Sequence, residues 1–190
     1  MRNLSKDLFL NTMTCPTLGW ELRNDDISGH GSQFPRTLGE KFRVEQGIDV
    51  GNRARSLFPT GLLIEEKDMA RAAAATRQAM ENPRILTIFE AAFFVDGTAA
   101  RADILIRDGT SWSLIEVKSS VNDRGNYIDD MAYTTMVLTQ AGLVITGASL
   151  LLISKEFRLG MHDRELFVEV NHTDEVLLHA EGLRQLWQDI

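Results

Sequence analysis

Asp103, Glu116 and Lys118 are the residues whose types and spacing could do chemistry in this chain. An aspartate followed thirteen positions later by Glu-x-Lys suits metal-assisted hydrolysis of a phosphodiester. Carboxylate oxygens select hard cations such as Mg²⁺ or Mn²⁺. A cation held by Asp103 and Glu116 would lower the pKa of a bound water and stabilise charge on the transferring phosphoryl group. Lys118 is placed to orient that water or to neutralise the developing charge. The backbone carbonyl of Val117, between the two, is a further donor, and Ser119 and Ser120 stand where a phosphate could be met.

The element that must position these groups is the stretch from Glu90 to Ser120. It reads as three strands joined at Asp96-Gly97 and Asp108-Gly109, a turn composition that signals hairpins between apolar alternating runs. Alternation predicts Ala102, Ile104 and Ile106 on one face, with Asp103 and Leu105 on the other. Ile115 and Val117 then take the apolar side, and Leu114, Glu116 and Lys118 its opposite. A two-residue loop at Asp96-Gly97 sets Glu90 across from Asp103. An even-length loop at the second turn sets Asp103 across from Glu116. In that register three carboxylates stand side by side, about 5 Å apart from strand to strand at Cβ. Such a row of like charges calls for a compensating cation, with Glu90 as a third metal ligand.

Composition bounds the alternatives. The chain has 190 residues, 44% of them hydrophobic and 25% charged, as expected of one soluble globular domain over residues 1–190. No apolar run is long enough to cross a membrane, so the expectation is a cytoplasmic protein without a membrane partner. The single cysteine, Cys15, excludes an internal disulfide and a Cys-rich zinc site, and is expected as a small buried hydrophobe. The net charge of -7 at first argues against a nucleic-acid partner. However, residues 161–190 hold seven acids and two bases, so the rest of the chain is nearly balanced and leaves room for a local basic groove.

Residues 4–22 read as two short helices broken at Cys15-Pro16, with Leu8, Phe9, Trp20 and Leu22 in the core. Residues 24–36 read as a polar loop carrying His30. A helix is expected from Thr37 to Phe58, with Val44, Gly47, Gly51, Ala54 and Phe58 on one face. Two glycines there imply close packing or room for a ligand, and Arg43, Arg53 and Arg55 elsewhere on the helix could meet phosphates. A short extended piece at 62–64 and a helix over 66–81 precede the meander. A helix over 127–140, strands at 148–157 and 165–170, and a last helix capped by Thr173 follow it. The stripe Val176, Ala180, Leu183, Trp187 and Ile190 should dock that helix on the body or on a protein partner.

With these residues in place, the pattern Arg-Ala-Asp103, twelve residues, Glu116-Val-Lys118 resembles the PD-(D/E)XK nuclease superfamily, in its RecB-like and CRISPR-associated exonuclease branch. The opening LSKDLFLNTMTCP and the helix motif Gly47-Ile-Asp-Val-Gly51 extend the resemblance over most of the chain, which is most similar to an uncharacterised bacterial RecB-like group. The resemblance implies an α/β (α+β) restriction-endonuclease-like core, a central mixed sheet with an antiparallel meander flanked by helices. It implies Mg²⁺- or Mn²⁺-dependent cleavage of single- or double-stranded DNA in repair or defence, with Asp103 and Glu116 as metal ligands and Lys118 as the catalytic lysine. In the resembled group, similar segments precede further domains.

Two positions depart from the branch. Gly51 stands where many members place a histidine ligand. Thr134 and Leu138 fail the Gln-x-x-x-Tyr motif on the helix after the lysine strand, which leaves Tyr133 to stand in as a substrate-binding residue beside Ser119 and Arg53. Glu90 or Glu40 would then reinforce the metal site. A catalytically inactive nucleic-acid-binding module and an interaction domain of a larger assembly are the alternatives.

Overall fold

The computed structural model describes residues 6–28 and 37–188. Two N-terminal helices, α1 (Lys6–Thr14) and α2 (Pro16–Ser28), precede α3 (Leu38–Ser56). After β1 (Leu62–Leu63) and α4 (Met69–Glu81) comes the meander of β2 (Thr87–Val95), β3 (Thr98–Asp108) and β4 (Ser111–Lys118). The chain ends with α5 (Gly125–Gln140), β5 (Ile145–Ile153), a single 3₁₀ turn (Asp163–Leu166), β6 (Phe167–Asn171) and α6 (Thr173–Gln188).

The six strands form one sheet in sequential order, β1 to β6. The central meander pairs and the edge pair β5–β6 are antiparallel, whereas β1 runs parallel to β2 and β4 parallel to β5. Parallel neighbours need a long crossover, and α4 and α5 supply the two. Both meander turns have the expected chemistry. Asp96 and Gly97 have φ of 49° and 81° and close the pair Val95–Thr98, as a type I′ turn requires. Gly109, at φ 59°, opens the two-residue loop between the paired Asp108 and Ser111.

Helices cover both faces. Beneath α3 lies a cluster of Ala54, Phe89, Ile104, Ile115 and Leu151. The larger cluster on the opposite face joins Ala72 of α4, Phe9 of α1, Met131, Tyr133 and Val137 of α5, and Val176 of α6 to the sheet. Thus the last helix docks on the body through Val176 and Ala180. α3 begins with a capping box: Glu40 accepts from the Thr37 N–H at 2.7 Å while its own N–H donates to the Thr37 hydroxyl. Glu40 therefore caps the start of α3.

Several expectations need correcting. Helix α2 continues to Ser28, five residues into the stretch read as a loop, while His30 and the rest of that loop lie outside the described residues. Trp20 is 67% exposed, Leu22 is also exposed, and so is Cys15. The reason is that α2 packs mainly on α1, and of its residues 16–24 only Gly19 is buried, where Thr12 leaves no space for a side chain. No described helix is long and apolar enough to cross a membrane.

Candidate functional site

The chemistry-bearing residues gather where the meander opens. The β3–β4 ladder ends at the pair Ile104–Ile115. One step further, the Val117 N–H donates to Oδ2 of Asp103 at 2.8 Å, so a side chain replaces the backbone partner. On the other side of β3, Phe89–Ile104 and Ala91–Ala102 pair, but Glu90 and Asp103 between them do not. Glu90 has φ of 54°, a left-handed conformation that costs a non-glycine residue free energy and is held here by its surroundings. Arg101 reaches the Glu90 carbonyl at 3.5 Å and the Glu66 carbonyl at 2.6 Å, tying this kink to the segment before α4.

The kink shifts the alternation. Ile88 and Ala91 both join the cluster under α5, and so do Ala102 and Leu105. Ile104 and Ile106 keep to the α3 side. The expectation that Ala102, Ile104 and Ile106 share a face therefore holds only for the last two: the alternation along β3 breaks at Asp103, opposite the left-handed Glu90 of β2, where the two strands do not pair.

Glu116 and Lys118 project toward α5, as the parity of β4 requires. Lys118 Nζ donates to Glu116 Oε1 at 2.8 Å and also to Asp130 Oδ2 on α5, and it lies 5.3 Å from the ring centre of Tyr127. The other oxygen of Asp130 is held by Lys6 of α1 at 2.5 Å. Glu116 is 5% exposed, and its second oxygen, Oε2, is buried with no hydrogen-bond partner. Asp103 lines a cavity of about 310 Å³ on the α3 side, together with Val44, Gly47, Ile48, Gly51, Arg55, Glu90, Ile104 and Val117. A side chain at Gly47 or Gly51 would meet nothing within 4 Å, so the two glycines leave room in that cavity and are not points of close packing.

The electrostatics follow from burial and neighbours. Burial and the Asp103 charge push the Glu116 carboxyl up to about 8, against the pull of Lys6 and Lys118. Burial raises Asp103 to about 6 although the Val117 N–H opposes it, and Glu90 adds to the rise. For Lys118 burial acts downward, but Glu116 and Asp130 outweigh it, so its ammonium is held above the ordinary lysine range. Asp130 moves the other way: burial would raise it, and Lys6 and Lys118 together bring it below the usual carboxylate range.

These donors fit a divalent cation in one specific sense. Burial and the charge of Asp103 both raise the Glu116 carboxyl, and one Glu116 oxygen is buried without a partner, which a cation would satisfy. Among the described residues no group of three or more His, Cys, Asp or Glu converges on a metal position. Mg²⁺ binds through one or two carboxylates and keeps several waters, so Asp103 and Glu116 suffice in number.

The other expected site residues scatter. Glu90 turns toward Arg55, 4.0 Å away, and does not complete a three-carboxylate set. Arg53 lies on the outer side of α3, paired with Asp49 at 3.1 Å and Asp163 at 3.2 Å. Ser119 is exposed just past the end of β4. Tyr133 is fully buried, 5.3 Å from the ring of Phe9, so it serves the core and offers no surface to a substrate. Two residues missed by sequence reasoning complete the site, Lys6 and Asp130. Asp130 carried a signal, since it sits one helical turn before Thr134 in the window searched for the Gln-x-x-x-Tyr motif. Lys6 carried none beyond its place in the N-terminal segment.

The sheet order, the crossovers and the opened meander together define a mixed α/β (α+β) fold, a six-stranded mixed sheet flanked by helices. By structure the chain is similar to LHK-Exo, solved in complex with dAMP, at a TM-score of 0.51 and 13% identity over 98% of this chain and 87% of that one. It also matches SSO0001 at 17% identity over 76% of this chain and 70% of that one, but the TM-score of 0.28 carries no argument. By sequence, no family model and no curated protein matches.

Proposed function

We propose that this chain is a metal-dependent nuclease of the RecB-like branch that hydrolyses phosphodiester bonds in DNA, as an exonuclease. The observation that carries the reading is the buried, unpartnered oxygen of Glu116 beside Asp103, with Lys118 on the other Glu116 oxygen at 2.8 Å. Similarity of fold to a protein solved with a bound nucleotide supports it. Asp103 and Glu116, with the Val117 carbonyl, would hold Mg²⁺ or Mn²⁺, which when bound supplies an activated water and neutralises phosphoryl charge.

The chain's own groups divide the remaining work. Lys118 stays protonated at neutral pH, so it donates hydrogen bonds and charge to the developing phosphoryl oxyanion and does not abstract a proton. The cavity under α3 adjoins Asp103, and Arg55 gives it a cationic end suited to a backbone phosphate. Ser119, exposed just past the end of β4, would be a second phosphate donor.

The test is cleavage of end-labelled single- and double-stranded DNA with Mg²⁺ or Mn²⁺, comparing wild type with Glu116→Ala and Lys118→Ala. Cleavage by wild type that both substitutions abolish is the expected result; activity unchanged by both would overturn the site. A catalytically silent nucleic-acid-binding module is the second reading, favoured by the absence of a three-carboxylate group among the described residues. DNA binding without cleavage in either cation would select it.

A further inference from the structure

Lys6 is remote from the meander in sequence and adjacent to its chemistry in space. Its ammonium lies 2.5 Å from Oδ1 of Asp130 and 3.4 Å from the Thr134 hydroxyl, which in turn donates back to the Asp130 carbonyl at 3.1 Å. Lys118 holds the other Asp130 oxygen. All the charges involved are shielded from water: side-chain exposure is 26% for Lys6, 17% for Asp130, 21% for Lys118 and 6% for Glu116. The helix that brings Lys6 here is itself anchored, because Phe9 is 2% exposed and packs on Tyr133 of α5.

The contacts thus run in the order Lys6, Asp130, Lys118, Glu116, with each oxygen of Asp130 held by one ammonium. At low local dielectric each unbalanced charge pulls strongly on its neighbour. Without Lys6, the full charge of Asp130 would act on Lys118 alone and draw it off Glu116 toward α5.

We infer that Lys6 is a positioning residue of this site: by occupying one oxygen of Asp130, it keeps the Lys118 ammonium at Glu116. This rests on the nuclease reading, in which Lys118 does its work from that position. A different role is conceivable for the same contacts, that of a tether fastening α1 to α5. The two roles differ in the sign of a second substitution. Neutralising Asp130 removes the pull on Lys118 and so compensates for the loss of Lys6, but it would only loosen a tether further.

The experiment measures DNA cleavage with Mg²⁺, with kcat and KM resolved and folding followed by circular dichroism. Lys6→Met should lower kcat by about 10- to 100-fold, the range for partners that orient the groups of a metal site, with KM little changed. Lys6→Arg should keep most activity, and Asp130→Asn in the Lys6→Met background should regain most of the loss. If Lys6→Met does not fold, Lys6→Gln, which keeps a donor to Asp130 without the charge, takes its place with the same expectation. Wild-type rates in the single variant, or a double variant slower than the single, would overturn the inference and leave the nuclease reading intact. A wild-type chain that cuts no DNA overturns the nuclease reading and this role with it.

Discussion

Replacing Glu116 by glutamine should make the cation-free protein more stable as pH rises, while abolishing cleavage. The magnitude follows from the site. Glu116 is pushed from an ordinary value of 4.5 up to about 8 by burial and by Asp103. A carboxyl raised in the folded state keeps its proton there while the unfolded chain releases one. Its contribution to stability is therefore fully present below pH 4.5 and is lost progressively as pH rises toward 8. At about 1.4 kcal/mol per pKa unit, the loss between pH 5 and pH 8 is on the order of 3 kcal/mol, as a ceiling. Glutamine has no such loss. It does weaken the acceptor for Lys118, a cost of about 1–3 kcal/mol for a hydrogen bond to a charged group, but that cost shifts the whole curve without changing its slope. Urea unfolding with EDTA present, followed by the fluorescence of the buried Trp112, reads the difference at several pH values. A difference between variant and wild type that stays flat from pH 5 to 8 would refute the assignment of Glu116 as a buried, strained carboxylate. So would a wild type that gains on the variant as pH rises.

Further substitutions separate the cavity from the core. Gly51→Ala places a methyl in open space on α3 and should stabilise the fold by about 0.5–1 kcal/mol, seen as a higher Tm, whereas Gly51→Leu should fill the cavity beside Asp103 and raise KM for DNA with Tm near that of wild type. Tyr133→Phe should leave KM for DNA unchanged. Tyr133→Ala should cost about 3–5 kcal/mol in urea unfolding, as deletion of a buried aromatic ring does; a KM effect of the phenylalanine variant at wild-type stability would restore Tyr133 to the substrate surface.

Local patterns in the chain carried the meander to its register. The Asp-Gly turns and apolar alternation were enough to set Val95 against Thr98, because turn geometry and side-chain period act within a few residues; at the second turn they left the loop length open, and the structure closes it with Asp108 paired to Ser111. The same short-range information set α3 with its two open glycines, and the docking face of α6. Counting register along ideal strands also aligned Glu90, Asp103 and Glu116, and here the count met its limit. A left-handed residue at Glu90 is invisible to a period-two pattern, since it is held by Arg101 reaching carbonyls 11 and 35 residues away. That kink sends Glu90 toward Arg55, and Asp103 lines the cavity on the α3 side while Glu116 projects toward α5, so the two do not share a face as alternation alone would have them.

What the sequence by itself determined was therefore the strand order of the meander, the proximity of Asp103 to the Glu-x-Lys strand, and the type of chemistry such donors allow. Tertiary structure alone decided which charges balance them. Asp130 and Lys6 enter through the docking of α5 and α1, and the burial of Tyr133 and the exposure of Trp20 and Cys15 turned on the same packing. Long-range contacts of this kind depend on which helix faces are covered, and no local period encodes that.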